Sequence, residues 1–260
     1  MTRFPESLRV LVRPIMGEVF DARISSHGHN TNTYVVNTES GQAFIKAVPN
    51  RPGGRRDSLN REKIINPYVQ SFSPAVLWNT ENDEWVALGF DVIDGRAADF
   101  TPSSPDLDRV VDTVNDVGGI SLPTMAQDWI ETRWDRFAVD EYECSLLRGN
   151  TLLYTDMNPE NFIFNDRTVQ LVDWAWPTRG AAFIDPACLV LQLIAAEHDP
   201  AEAEAWIERC GAWMAADSQS ISVFISATIR MYREFSERNP SMTWIADILY
   251  AAQKWESYRG

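Results

Sequence analysis

The chain has 260 residues, of which 45% are hydrophobic and 23% are charged, and its formal net charge is −14. This length allows one large domain or two modest lobes with buried cores. The sequence has no run of roughly 18 apolar residues, which excludes a membrane-spanning helix, and its acidity disfavours nucleic acid as a partner because phosphate would be repelled.

The negative charge is distributed unevenly along the sequence. Residues 1–95 carry 11 acidic and 10 basic side chains, a net −1, whereas residues 96–260 carry 26 and 13, a net −13. An acidic second part favours a cationic small-molecule partner. The solubility of a generally acidic protein explains the charge equally well.

The cysteines and the first residues favour a cytoplasmic protein. Cys144, Cys188 and Cys210 are far apart and form no C-x-x-C pair, so we expect reduced thiols. Residues 1–20 mix charges and prolines with apolar positions, which is not typical of a signal peptide.

The first part of the sequence is predicted to form an antiparallel sheet with one helix. Short apolar segments separated by polar turns are typical of strands. After the breaker-rich segment 50–56, a helix is predicted from Asp57 or Ser58 to about Gln70. Together these elements indicate a small α+β lobe. The predicted strands are residues 18–24, 33–38, 42–48, 75–78 and 84–93.

The sequence becomes mostly helical after Asp94-Gly95, because its apolar residues recur at helical spacing. We therefore predict an N-terminal lobe at residues 1–94 and a C-terminal lobe at residues 95–260. The predicted helices of the second lobe are residues 107–120, 125–139, 185–197, 201–215, 221–235 and 244–255.

Residues 152–177, LLYTDMNPENFIFNDRTVQLVDWAWP, contain the polar residues that suggest chemistry. Asp156 lies on a predicted loop, Asn161 follows five residues later, and Asp173 ends a predicted hairpin that would fold it back towards Asn161. Oxygen ligands of this kind suit Mg²⁺, and a further carboxylate suits proton acceptance during phosphoryl transfer. A lone D-x-x-x-x-N is common, however, because both residues favour turns.

This pattern resembles the catalytic and metal-binding loops of kinases, and most closely those of the aminoglycoside-phosphotransferase and choline-kinase family. That family has H-G-D-x-x-x-x-N followed by a strand ending in I-D-W or similar, where this sequence has Y-T-D-M-N-P-E-N and V-D-W. The later segment RGAAFIDPACLV is also similar. Within the family the chain most resembles actinobacterial-type small-molecule kinases. The resemblance covers nearly the whole chain but is specific only over residues 152–190.

The resemblance implies a two-lobed, protein-kinase-like α+β fold that uses ATP and magnesium. It assigns Asp156 as the catalytic base and Asn161 and Asp173 as magnesium ligands. Asp185 matches a position that opens the next helix, where we expect a helix N-cap.

The resemblance also implies a lysine–glutamate pair in the first lobe. Lys46, the only lysine in residues 1–62, matches the strand lysine that contacts the ATP phosphates, and Glu62 matches its partner on the helix. An ordinary surface lysine and an ordinary helical glutamate are the alternatives.

Two further segments match nucleotide-binding positions of the family. Asp91 and Ile93 lie where main-chain groups would contact adenine, although an edge strand and turn would explain that segment equally well. Residues 25–33 match the phosphate-covering loop but lack G-x-G-x-x-G.

The function that the resemblance implies is transfer of the γ-phosphoryl group of ATP to a hydroxyl of a small molecule. The acidic second lobe favours an aminoglycoside or another antibiotic, and hence a role in antibiotic resistance; amino alcohols, sugars and nucleosides are the alternative acceptors. Tyr154 replaces the histidine that the family has two residues before the base, which keeps a regulatory, nucleotide-binding pseudokinase as an alternative function. A protein kinase is disfavoured because H-R-D, D-F-G and A-P-E motifs are missing.

Overall fold

The computed structural model describes residues 4–25 and 32–260, which divide into two compact units. The first unit comprises the described residues up to Ala97 together with Glu160–Trp176, and the second comprises Ala98–Pro159 and Pro177–Gly260. The segment that carries Asn161 and Asp173 therefore belongs to the first unit. The lobe boundary predicted after residue 94 stays a prediction.

The helices and strands follow in chain order. The strands are β1 (Val19–Ile24), β2 (Thr33–Thr38), β3 (Gly41–Pro49), β4 (Val76–Glu81), β5 (Trp85–Phe90), β6 (Arg96–Ala97), β7 (Thr151–Leu153), β8 (Phe162–Phe164), β9 (Val169–Leu171) and β10 (Thr178–Gly180). The helices are α1 (Glu6–Met16), α2 (Gly54–Val69), α3 (Leu107–Gly118), α4 (Glu141–Leu146), α5 (Ile184–Ala195), α6 (Pro200–Ile207), α7 (Gly211–Met214), α8 (Ser218–Arg238) and α9 (Thr243–Arg259).

The first unit contains an antiparallel sheet in the order β1-β2-β3-β5-β4, which confirms the predicted sheet. Along β3, Ala43, Ile45 and Ala47 are buried in the core, whereas Phe44 and Lys46 point to the opposite face because side chains alternate along a strand. This alternation determines which face of the sheet receives the lysine.

Helix α1 was not predicted from the sequence. Phe4, Leu8, Val12 and Met16 recur every four residues and pack in the core of the sheet, which is the spacing of an amphipathic helix. Pro14 lies inside the helix and, with the interspersed charges, obscured this pattern.

The second unit is mostly helical, as predicted, with α9 packed against α5 and α8. The predicted helix at 125–139 is wrong: that segment contains only the 3₁₀ turns Thr124–Ala126 and Asp135–Phe137, and Ile130 instead forms a bridge with Arg179. The predicted helix at 201–215 is interrupted between α6 and α7.

The three cysteines are free thiols. In the part of the chain that the structure describes, none of the helices has the length and apolarity needed to cross a bilayer.

Candidate functional site

A buried ionic cluster joins β3, α2 and the segment after β9 in the first unit. Lys46 Nζ donates to Glu62 Oε1 at 2.7 Å and to Asp173 Oδ1 at 2.8 Å. Glu62 is only 5% exposed because it lies on the buried face of α2 with Leu59 and Ile65. A carboxylate in that position requires a hydrogen-bonded partner, and Lys46 supplies it.

Burial and charge act in opposite directions on the pKa values of this cluster. Burial, with a smaller effect of the Asp173 charge, raises the pKa of Glu62, while Lys46 and the backbone N–H of Trp174 oppose the increase. Burial alone would lower the pKa of Lys46, but the charges of Glu62 and Asp173 and their hydrogen bonds outweigh it and raise that pKa. Lys46 is therefore positively charged throughout the physiological pH range.

A hairpin brings Asn161 and Asp173 together. Strands β8 and β9 pair in antiparallel fashion, and Asn165 closes the turn between them by accepting two backbone N–H groups at 2.9 and 2.7 Å. Directly after β9, the N–H of Val172 donates to the carbonyl of Asn161 at 2.9 Å. The hairpin predicted from the sequence thus places the two side chains at neighbouring positions.

Asp173 has a left-handed backbone conformation with φ of 63°. The predicted strand included this residue, whereas β9 ends two residues earlier, at Leu171. Asp tolerates this conformation better than most residues do. The chain therefore leaves the strand direction at Asp173, where its carboxylate meets Lys46.

A cavity of about 550 Å³ lies beside this cluster in the first unit, within the size range of small-molecule sites. Lys46, Glu62, Asn161 and Asp173 contribute to its polar wall. The wall of the cavity thus contains the ammonium group of Lys46 beside the side-chain oxygen atoms of Glu62, Asn161 and Asp173.

The rest of the cavity wall combines apolar rings with the segment after β5. Phe44 and Phe90 pack against each other with ring centroids 6.3 Å apart and line the cavity. Asp91 and Ile93, the two residues predicted to contact adenine, line the same cavity.

The oxygen atoms of the polar wall fit a magnesium ion. Asn161 offers an amide oxygen and Asp173 a carboxylate, which are ligands that magnesium prefers. The Asp173 side chain remains 35% exposed. Magnesium commonly keeps several waters and substrate phosphate oxygens, so two protein ligands suffice. Within the described ranges there is no cluster of three or more His, Cys, Asp or Glu side chains that could hold a metal ion.

Asp156 belongs to the second unit and is exposed on the loop that follows β7. The preceding residue, Thr155, has φ of 64°, a conformation that is strained for a β-branched residue and costs on the order of 1–3 kcal/mol. Asp185 holds this loop by accepting the backbone N–H groups of Tyr154 and Thr155, each at 2.8 Å.

The N-cap predicted for Asp185 is wrong. Helix α5 begins at Ile184, and the Asp185 carboxylate is directed to the loop before Asp156 instead of to the start of its own helix. The residue is 2% exposed, and burial raises its pKa to about 6 although the backbone hydrogen bonds from Tyr154 and Thr155 lower it. Asp185 therefore fixes the conformation of the Asp156 loop.

Two charged residues that sequence analysis did not single out support this loop, Arg133 by direct contact and Glu131 by holding Arg133. Arg133 Nη2 donates to Thr155 Oγ1 at 2.8 Å. Glu131, which is 3% exposed, accepts the backbone N–H of Arg133 and the hydroxyl of Thr178, each at 2.7 Å. Neither residue was identified, because the segment 125–139 was predicted to be a helix. The polar triplet E-T-R between the apolar residues of WIETRW could have indicated them.

The predicted site residues are thus divided between the two units. Those of the first unit line one cavity: Lys46, Glu62, Asp91, Ile93, Asn161 and Asp173. Asp156 lies in the second unit. Most of the predicted phosphate-covering loop, residues 26–31, lies outside the described residues. The roles assigned to all of these residues stay predictions.

The sequence matches no protein-family model and no curated protein, but the fold matches solved structures. LicA, a choline kinase from Streptococcus pneumoniae, has in its complex with AMP a TM-score of 0.66 at 13% identity, over 100% of both chains. Aminoglycoside phosphotransferase APH(4)-Ia, a thermostable mutant in ternary complex with AMP-PNP and hygromycin B, has a TM-score of 0.65 at 12% identity, over 97% of this chain and 98% of that one. An aminoglycoside phosphotransferase from Alicyclobacillus acidocaldarius has a TM-score of 0.62 at 11% identity, over 100% of this chain and 95% of that one.

Such low identities show the fold alone. The α+β architecture predicted from the sequence is confirmed, and so is the resemblance on which the prediction depended. The chain has the protein-kinase-like fold shared by choline kinase and the aminoglycoside phosphotransferases.

Proposed function

We propose that the protein is a small-molecule kinase that transfers the γ-phosphoryl group of ATP to a hydroxyl of its acceptor. The observation that carries this proposal is the position of Lys46, bound to Glu62 and Asp173 at the wall of a cavity of about 550 Å³. The solved structures of the same fold that contain AMP, or AMP-PNP with hygromycin B, also support it.

In this proposal the cavity of the first unit binds ATP. Lys46 donates to phosphate oxygens, and Glu62 keeps the lysine oriented because the two are held at 2.7 Å in a buried position. Backbone groups of Asp91 and Ile93 contact adenine, and Phe44 and Phe90 supply the apolar wall.

Asn161 and Asp173 would hold magnesium, for which their oxygen atoms are suitable ligands. Magnesium, when bound, neutralises phosphate charge. Lys46 donates a hydrogen bond to the Asp173 carboxylate, so its ammonium group compensates this negative charge before the nucleotide binds.

Asp156 is proposed as the base. Its carboxylate accepts the proton of the acceptor hydroxyl, the hydroxyl oxygen bonds to the γ-phosphorus, and the bond to the bridging oxygen breaks to leave ADP. The exposure of Asp156 and the two backbone hydrogen bonds that fix its loop support this role, because a base must be both accessible and held in place.

For the acceptor we propose a cationic small molecule, first of all an aminoglycoside. The protein would then phosphorylate this antibiotic in the cytoplasm. The net charge of −13 over residues 96–260 supports a cationic acceptor. The hygromycin B complex of APH(4)-Ia supports the aminoglycoside class among cations.

The test is incubation of the purified protein with Mg·ATP and a panel of aminoglycosides, choline-like amino alcohols, sugars and nucleosides, with products followed by mass spectrometry. The proposal predicts a phosphorylated product that requires magnesium and is lost in Asp173→Ala. Measurable ATP binding without transfer to any member of the panel would contradict a kinase with such acceptors and would favour the nucleotide-binding regulatory alternative.

A further inference from the structure

Thr155 occupies a conformation for which its side chain is poorly suited. A β-branched residue at φ of 64° is a strained exception, whereas glycine would adopt this conformation freely. The strain is maintained because the surrounding structure fixes the residue: it is 6% exposed, and Asp185 binds its backbone N–H. What threonine offers and glycine lacks is a hydroxyl group, and that hydroxyl accepts a hydrogen bond from Arg133.

Arg133 is itself held firmly in the second unit. Its backbone N–H donates to the buried Glu131, and its guanidinium lies over the ring of Trp134 at 5.2 Å from the ring centroid. The side chain still has 37% of its surface exposed. The guanidinium is therefore ordered and in contact with Thr155, the residue directly before Asp156, yet is not withdrawn from solvent.

The charge of Arg133 acts on the same groups as that of Asp156. Burial raises the pKa values of Cys188 and Tyr232, and smaller effects come from Arg133, which lowers them, and Asp156, which raises them. The other ionisable groups that face Arg133 are Glu131, whose Oε2 is 3.9 Å from Nη2, and the buried Asp185. Arg133 therefore belongs to the group of side chains that surrounds the loop before Asp156.

We propose that Arg133, through Thr155, is a positioning residue for the base of the phosphoryl transfer. The hydrogen bond to the strained threonine fixes the backbone from which the Asp156 carboxylate projects. This inference rests on the function proposed above, because it gives Arg133 a role only if Asp156 is the base.

The inference is tested by steady-state kinetics with Mg·ATP as the probe and water as the acceptor. We expect Arg133→Gln to lower kcat by at least roughly tenfold while the KM for ATP stays within about twofold, because proton acceptance is affected and nucleotide binding is not. Arg133→Lys should recover part of the lost kcat, because its ammonium group remains a hydrogen-bond donor for Thr155.

Two matched series separate this role from a merely structural one. Thr155→Ser keeps the hydroxyl and should retain the wild-type kcat, whereas Thr155→Val should lower kcat as Arg133→Gln does. Arg136→Gln is the control, because Arg136 lies three residues after Arg133 but pairs with Glu234 of α8 and lies over the ring of Phe137. This variant should leave kcat unchanged.

Chemical rescue provides a second measurement. Arg133→Ala should regain activity when guanidinium is added at millimolar concentration, since the site is partly open to solvent. The inference is overturned if Arg133→Gln matches Arg136→Gln in kcat. If Asp156→Ala retains the wild-type rate, the proposed function itself is wrong, and this inference is wrong with it.

Discussion

Lys46 and Glu62 form a buried ion pair, with 2.7 Å between Nζ and Oε1, in which the lysine also binds Asp173. The pair joins β3 to the buried face of α2, so removal of Lys46 leaves the Glu62 carboxylate buried without a cation. The same contact orients the cation at the cavity wall. Stability and the proposed chemistry of the first unit thus depend on one pair of residues.

Removal of one partner should therefore be costly. Lys46→Met leaves Glu62 buried without a cation and should lower the free energy of unfolding by about 3–5 kcal/mol at neutral pH. Urea denaturation measures this change. Arg13→Met is the control, because Arg13 forms an exposed pair with Glu18, and its effect should stay below about 1 kcal/mol. The double variant Lys46→Met/Glu62→Leu should recover much of the loss; equal effects of Lys46→Met and Arg13→Met would contradict the account.

Asp173→Ala should weaken magnesium-dependent nucleotide binding by roughly tenfold or more, because the carboxylate that we propose as a magnesium ligand is lost. Titration calorimetry with ATP, with and without magnesium, measures the effect, and the difference from wild type should disappear when magnesium is chelated. Asp166→Ala, in the exposed turn of the same hairpin, is the control. A magnesium-independent loss of affinity would remove Asp173 from the metal site.

The raised pKa of Asp185 should appear in the pH dependence of stability. Its pKa of about 6 in the folded protein is above the ordinary value of 3.8, so the folded state binds more protons than the unfolded state between these values. Stability contributed by protonated Asp185 is therefore lost as pH rises from about 4 to 6, on the order of 3 kcal/mol. Relative to Asp185→Asn, the wild type should lose stability across this window, as measured by urea denaturation. Parallel stability curves for wild type and Asp185→Asn would show that Asp185 does not titrate in this window. Asp199→Asn, a change at an exposed position, is the control, and its stability curve should run parallel to that of wild type.

Gly89 is predicted to tolerate no side chain. A Cβ at this position in β5 would lie 2.1 Å from the ring of Trp78, which cannot move aside easily. Gly89→Ala should therefore destabilise the protein by about 1–3 kcal/mol in thermal or urea unfolding. Gly118, at the end of α3, has open space around it, and Gly118→Ala should be neutral or stabilise by up to about 1 kcal/mol. Similar outcomes at the two positions would contradict the packing described around β5.

Local patterns in the sequence were sufficient to predict the sheet of the first unit and its site-bearing elements. Strand alternation predicted β3, and the D-x-x-x-x-N spacing with a following hairpin predicted that Asp173 would return to Asn161. The apolar residues of α1 have helical spacing, but Pro14 interrupts the pattern. Only their packing in the core of the sheet shows that they form a helix.

The support of the Asp156 loop could not be predicted because it depends on long-range contacts. Asp185 lies about 30 residues from the backbone groups it binds, and Arg133 lies 22 residues from Thr155. The left-handed conformation of Thr155 has no local sequence signal, since threonine is a poor residue for it. Residues 125–139 have helical spacing, but Glu131 and its neighbours form hydrogen bonds with the start of β10 and Arg179 instead.

Comparison of Asp156→Ala with wild type, in ATP affinity and in the rate of γ-phosphoryl transfer, tests the proposed role of Asp156 as proton acceptor. If Asp156 is the base, the variant binds Mg·ATP with wild-type affinity and loses transfer by a factor of roughly 100 or more. Transfer at the wild-type rate, with binding unchanged, would contradict this role.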